Sequence, residues 1–390
     1  MGILPIIENS TAELVEIFKD LHAHPEIGFT ETRTAGVVAD KLREYGVDEV
    51  HTNIAKTGVV GIIHGKGQGD NTRRIGLRAD MDALPIDEQS NLPYASKTPG
   101  VMHACGHDSH TTMLLGAAKH LAQTRDFAGT AVLIFQPAEE GLGGARGMLA
   151  DGLFDRFPCD EIYGMHNFPN GTPGKVAICK GTAMAGAAFF DIHIQGKGSH
   201  AAMPHVSRDP VIVASALVGH LQTILSRNVG PMESCVVSVT QIHAGAAYNV
   251  VPDTATIAGT IRYFKDEVYD LAEQRMRDIC DGLARAHGVE IAVELRNIFD
   301  VLVNDADLSY AYLQAAADVV GAENTTDTQP PVTGSEDFAD MLKIVPGAYC
   351  VVGHAGTQPL HNPGFVLDPD ILPIGASIMA RVVERRMAAG

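Results

Sequence analysis

The sequence predicts an α/β protein in which a largely parallel, buried sheet is interrupted by a smaller module of β-α-β-β-α-β order. Three observations carry this expectation. Five short apolar runs alternate with helix-like stretches, acidic and histidine residues stand just beyond the ends of those runs, and the rhythm changes between about residues 187 and 299. At 390 residues the chain exceeds what one hydrophobic core keeps supporting, so about two domains are expected. The division reads as 1–185 together with 300–390 for the domain carrying the chemistry, and 186–299 for the inserted module.

Taken in order, Ser10 serves as N-cap of a first helix, because Leu14, Ile17, Phe18 and Leu21 fall on one face. A second helix over 34–45 ends at Gly46, the residue type that most readily closes a helix. Strands are expected at 59–63, 75–79, 131–135, 161–165 and 348–352, with a helix over 110–123 among the segments between them. Ala131-Val132-Leu133-Ile134-Phe135 is so uniformly apolar that it reads as a central strand covered on both faces. Inside the module the order is strand 189–195, helix 210–226, strands 235–242 and 254–263, helix 267–286 and strand 289–295. That is the split βαβ, ferredoxin-like order.

Composition narrows the function. A formal charge of −18 leaves little clustered Lys and Arg for phosphate, so nucleic-acid and anionic-membrane surfaces are not expected. Hydrophobic residues make up 45% and charged residues 19% of the chain, an ordinary globular balance. Six cysteines scattered over this length do not form a disulfide framework and point to reduced thiols. No basic leader and no 18-residue apolar stretch is present, so a soluble cytoplasmic protein is expected. There is no internal repeat or low-complexity tract.

The most informative stretch is His103-Ala104-Cys105-Gly106-His107-Asp108, followed by Gln136-Pro137-Ala138-Glu139-Glu140 and by the later imidazoles His166 and His361. Taken singly, a Cys-x-His pair is an ordinary core feature and two consecutive glutamates an ordinary acidic loop. Position changes the reading. Asp80 and Asp82 follow one expected strand, Glu139 and Glu140 another, His166 a third and His361 a fourth, and α/β sheets bind ligands in the crevice at strand C-termini. Sulfur, imidazole nitrogen and carboxylate oxygen are the donors a zinc-like ion accepts, and a carboxylate beside a ligand can take a proton from bound water.

Together these stretches resemble the M20 metallopeptidases. The resemblance extends in order over essentially the whole chain. It also takes in Arg78-Ala79-Asp80-Met81-Asp82-Ala83-Leu84-Pro85, Gly164-Met165-His166-Asn167, Gly198-Ser199-His200-Ala201-Ala202, Tyr248-Asn249-Val250-Val251-Pro252-Asp253, Gly334-Ser335-Glu336-Asp337-Phe338 and Leu360-His361-Asn362-Pro363. The similarity is to the branch of aminoacylases, hippurate hydrolases and auxin-conjugate amidohydrolases. It implies a phosphorylase/hydrolase-like zinc-peptidase catalytic domain with an inserted ferredoxin-like dimerisation domain. It also implies metal ligands Cys105, His107, Glu140, His166 and His361, with Glu139 as general base and Asp82 as the supporting acid. His200 is implied to reach the partner subunit's site and stabilise the oxyanion. Asn249 and Arg262 match substrate-contacting positions, and Gly334 is expected to line the pocket with a flexible backbone. Two departures from the wider family stand out. Asp80 occupies the place of a ligand His, and His107 the place of a bridging Asp.

The implied activity is hydrolysis of the amide of an N-acyl amino acid, acetyl-, benzoyl- or similar, by hydroxide held between two divalent cations (Mn, Zn, Co or Ni). The expected partners are a small-molecule substrate and a second copy of the chain, in a homodimer or higher oligomer. A dipeptidase or carboxypeptidase of the same architecture is the alternative, because a metal site sees only the amide. A non-catalytic metal-stabilised binding protein is the third reading, against which the intact Glu139 and full ligand set weigh.

Overall fold

The computed structural model describes residues 2–69 and 72–388. The chain forms two units, one of Met1–Ala183, Val303–Pro330 and Asp337–Gly390, the other of Met184–Leu302 and Pro331–Glu336.

The first unit is built on an eight-stranded sheet. Its strand order is Glu49–Ile54, Gly58–His64, Thr130–Gln136, Arg74–Asp80, Glu161–Phe168, Gly347–Gly353, Val176–Ala177 and Thr325–Thr326. Every residue of Thr130–Gln136 is buried, as its unbroken apolar run requires. The four strands that carry the chemistry, from Thr130–Gln136 through Gly347–Gly353, are parallel to one another, so their C-terminal ends share one edge. These parallel strands are the largely parallel sheet that the sequence predicts, and the flanking strands depart from it. Gly58–His64 runs antiparallel to both its neighbours. The link over residues 65–73 is shorter than the dozen or so residues a parallel crossover takes, so the chain reverses direction before Arg74–Asp80. The helices Thr11–Ala23, Thr32–Tyr45, His107–Thr124, Ala306–Val320 and Ile371–Arg386 contribute their apolar faces to one continuous core with this sheet.

The second unit is a four-stranded antiparallel sheet in the order Cys235–Ala244, Thr254–Tyr263, Gly186–Gln195, Glu290–Phe299. Strict alternation along Thr254–Tyr263 buries Ala255, Ile257, Gly259, Ile261 and Tyr263, the period-2 pattern of a sheet covered on one face. Helices Pro210–Thr223 and Asp266–His287 provide that cover through Val213, Leu217, Leu221, Ala272 and Met276. This is the ferredoxin-like arrangement. The first helix does not run regularly to 226, because Ile224–Asn228 is a π turn. Pro331–Glu336 groups with this unit through the bonds from Ala185 N–H to the carbonyls of Val332 and Gly334. Gly334 therefore lies in the second unit, outside the 186–299 span expected for the module.

Candidate metal centre

The parallel strands deliver their C-terminal residues to one place. Asp80 ends Arg74–Asp80, with Asp82 just beyond. Glu139 and Glu140 follow Thr130–Gln136, and His166 lies near the end of Glu161–Phe168. The helix His107–Thr124 starts three residues earlier than its apolar pattern predicts. Gly106 supplies its N-cap at φ +87°, and a Cβ there would collide with the Asn167 amide. His361 is tied to the same edge by its N–H, which donates to the Ala104 carbonyl at 2.8 Å.

All five expected ligands converge. Cys105, His107 and His166 form one group whose donor atoms lie within 4.8 Å of one another, and Cys105, Glu140 and His361 form a second that shares the sulfur. A third, His107, Glu139 and Glu140, joins the two. Cys105 Sγ is 3.5 Å from His166 Nε2, and Glu140 Oε1 is 3.2 Å from His361 Nε2 and 3.9 Å from His107 Nε2.

Hydrogen bonds aim the donors inward. His166 Nδ1–H donates to the Asn167 carbonyl at 2.6 Å, and His107 Nδ1–H to Asp82 Oδ1 at 3.1 Å. In each ring Nε2 is left as the lone-pair donor. His107 Nε2 and Glu140 Oε1 are buried without a hydrogen-bond partner. Two like charges ~5 Å apart at an effective dielectric of ~20 repel by about 3 kcal/mol, so buried Glu139 beside half-buried Glu140 calls for a cation. The donor set fits a pair of divalent metal ions.

Burial pushes the Cys105 thiol up to about 12, with His107 pulling the other way. Burial, reinforced by His110, holds His166 well below the usual imidazole range. Burial also opposes charging His107, yet Asp80, Cys105 and Asp82 keep it well above that range. Thiol and imidazolium donors must lose their protons to bind a cation, so metal binding at such a site depends on pH.

Asp80 does not face the cluster as a free ligand. Its Oδ1 accepts from His110 Nδ1 at 2.6 Å and its Oδ2 from Arg78 Nη1 at 2.8 Å. Burial opposes its charge, but His107, His110 and Arg78 hold it well below the ordinary carboxylate range. His110 Nε2 then accepts from the Asn167 N–H at 3.0 Å, and the Asn167 amide donates to the Cys105 carbonyl at 2.6 Å. Arg78 also reaches Gln136 and Asp337. Sequence reasoning missed this buried backing of His110, Asn167, Gln136 and Asp337. Its one local signal is charge and amide groups at the ends of otherwise apolar strands. His103 and His354 are both fully buried, and His354 Nε2 bonds Asn167 Oδ1 at 3.1 Å.

The remaining expected site residues lie in the second unit. Exposed His200 is on Ser199–His200, which pairs with Val250–Val251, and its Nδ1 accepts from Ala202 N–H at 3.1 Å. The Asn249 carbonyl accepts from Ala201 N–H at 2.9 Å, which sets Asn249 beside His200. Arg262, half-buried on Thr254–Tyr263, donates to Thr260 Oγ1 and the Ile261 carbonyl, and no carboxylate pairs with it among the described residues. A Cβ at Gly334 would lie 3.6 Å from the Met184 methyl, an ordinary contact, so the position has room for a side chain.

Residues 76–385 match the family model described as peptidase family M20/M25/M40. The chain is 41% identical to the hippurate hydrolase of Campylobacter jejuni over 98% of each chain. It is 38% identical to an N-acetylcysteine deacetylase of Bacillus subtilis over 95% of each. Among solved structures it resembles a dinuclear metal-binding M20 peptidase of Bacillus subtilis, with 34% identity and a TM-score of 0.85, covering 98% of this chain and 100% of that one.

Proposed function

Because the chain belongs to peptidase family M20/M25/M40, we propose that it is a metal-dependent amidohydrolase that splits N-acyl amino acids into a carboxylic acid and a free amino acid. The observation that carries this is the convergence of the two ligand groups sharing Cys105 around the orphaned His107 Nε2 and Glu140 Oε1, with Glu139 beside them. The hippurate hydrolase and N-acetylcysteine deacetylase relatives support the substrate class.

Cys105, His107, Glu140, His166 and His361 would hold two divalent ions, drawn from manganese, zinc, cobalt or nickel. Such ions supply the positive charge that brings the pKa of an attacking water near neutrality and polarises the amide carbonyl. Glu139 takes the proton of that water and returns it to the departing nitrogen, a carboxylate serving in turn as base and acid. Asp82 fixes the tautomer of His107. The partner subunit's His200 donates to the developing oxyanion. Arg262, which pairs with no carboxylate among the described residues, suits the carboxylate of the amino-acid product, with Asn249 and Gly334 lining the same substrate.

A homodimer is the assembly this mechanism needs. It is supported by the open edge of the strand Cys235–Ala244 and by the exposed Val236, Ile242, Val211 and Ile212 on the second unit. All six cysteines are free, which supports action in the cytoplasm. Among the described residues no helix is long and apolar enough to cross a membrane.

The test is elemental analysis of the purified protein, followed by turnover of acetyl-, benzoyl- and indoleacetyl-amino acids beside dipeptides. Two bound divalent ions per chain and preference for acyl-amino acids are expected. Dominance of dipeptides would replace the substrate class with that of a dipeptidase. Absence of turnover after reloading with each metal would leave a binding protein.

A further inference from the structure

Glu31 is a fully buried carboxylate that the proposed chemistry does not use. It stands at the N-cap of the helix Thr32–Tyr45 yet makes no side-chain bond to that helix. Glu26 caps it instead, accepting from the N–H groups of Arg33 at 3.0 Å and Thr34 at 2.8 Å. Glu31 turns the other way. Its Oε1 accepts from the Ala138 N–H at 2.8 Å, and its Oε2 accepts from the Thr57 hydroxyl at 2.6 Å.

Ala138 precedes Glu139 and has φ +54°, a left-handed conformation that a side chain rarely adopts without being held there. Its carbonyl is also engaged, accepting from Gly144 N–H at 3.0 Å. The segment before Glu31 lies directly on it, since a Cβ at Gly28 would come within 2.8 Å of the Ala138 Cα. On the far side of Glu139, the Glu140 N–H donates to Asp82 Oδ2 at 2.9 Å. The backbone is thus gripped by a buried carboxylate on each side of the general base, and one of the two comes from a distant helix start.

We propose that Glu31 is a positioning residue for Glu139, acting through the Ala138 N–H to hold the base at the angle from which it reaches the substrate water. The proposal rests on the assignment of Glu139 as base.

The test compares two variants of the fully metal-loaded enzyme. Glu31→Gln keeps the length and an oxygen able to accept from Ala138, while Glu31→Asp keeps the charge but is one methylene too short. With metal stoichiometry and KM within about twofold of the parent in both, kcat is expected to stay within about threefold for Glu31→Gln and to fall tenfold or more for Glu31→Asp, the scale on which small misplacements act. The reverse ranking, unchanged kcat in Glu31→Asp, or losses confined to thermal stability or metal content would overturn the positioning role. Glu139→Gln measured in parallel keeps the two ideas apart. If it turns over normally the base assignment fails, whereas a dead Glu139→Gln beside a normal Glu31→Asp removes the role of Glu31 alone.

Discussion

Asp82 Oδ1 lies 3.1 Å from His107 Nδ1 while its Oδ2 accepts the Glu140 N–H at 2.9 Å, so one carboxylate orients two of the expected ligands. Removing it frees the His107 ring to rotate or change tautomer and loosens the turn that carries Glu140. Asp82→Ala is expected to weaken divalent-metal binding about ten- to a hundredfold, read by competition with a chromogenic chelator. Parent affinity in the variant would mean that Asp82 supports nothing the metals feel.

Glu139→Gln preserves size and hydrogen-bonding capacity but cannot accept the proton. We expect it to bind metal and substrate as the parent does and to lose about 10²- to 10⁴-fold in kcat. Isothermal titration with a slowly cleaved acyl-amino acid, followed by single-turnover kinetics, checks both halves. A metal-loaded variant with near-parent turnover would reassign the base.

His200 and Glu139 belong to different units of the chain, and the proposed dimer has each site borrow the partner's His200. Mixing inactive His200→Ala with inactive Glu139→Gln, then allowing subunits to exchange, should restore roughly a quarter of parent activity, because half the dimers are mixed and each holds one intact site. No recovery once exchange is verified by mass would place His200 in its own subunit's chemistry, and an active His200→Ala would place it outside the chemistry.

His22 is buried between Asp108 at 2.7 Å and Glu88 at 3.3 Å. Burial works to discharge it, yet the two carboxylates raise it to about 9. The unfolded value is about 6.5, so the native state binds the extra proton between the two. The contribution to stability is whole below pH ~6.5 and is lost as pH rises through about 9. The thermal midpoint is therefore expected to fall between pH 6.5 and 9.5, and more steeply than in His22→Gln. Equal slopes in the two proteins would show that His22 is neutral when folded.

Much of the fold was legible where apolar runs are unbroken. The strands around residues 131–135 and 161–165, the helix ended by Gly46, and the ferredoxin-like order were read close to their observed limits, because burial on one or both faces writes itself into local periodicity. Glu49–Ile54 was not, since its burial follows no clean alternation and it forms only by hairpin pairing with Gly58–His64. The antiparallel half of the sheet was hidden for the same reason, direction being set by connection length rather than residue type. At the site, ligand chemistry could be named from short motifs, and the gathering of Glu140, His166 and His361 followed from strand-end placement. The carboxylates that hold the site could not be found that way. Glu31 with Ala138, Arg78 with Asp337 and Asp80 with His110 are pairings across long stretches of chain, and a buried acid carries no local signature of the amide or guanidinium it meets.

Five side chains caging two cations beside one unligated acid would leave a distinct pattern of metal positions. Anomalous diffraction from crystals of the metal-loaded protein, collected at the absorption edge of the bound ion, tests it most directly. Two peaks about 3.5–4 Å apart are expected, bounded by Cys105, His107, Glu140, His166 and His361 with Glu139 outside both coordination shells. A single peak, a peak liganded by Asp80 and His110, or Glu139 bound to metal would contradict it.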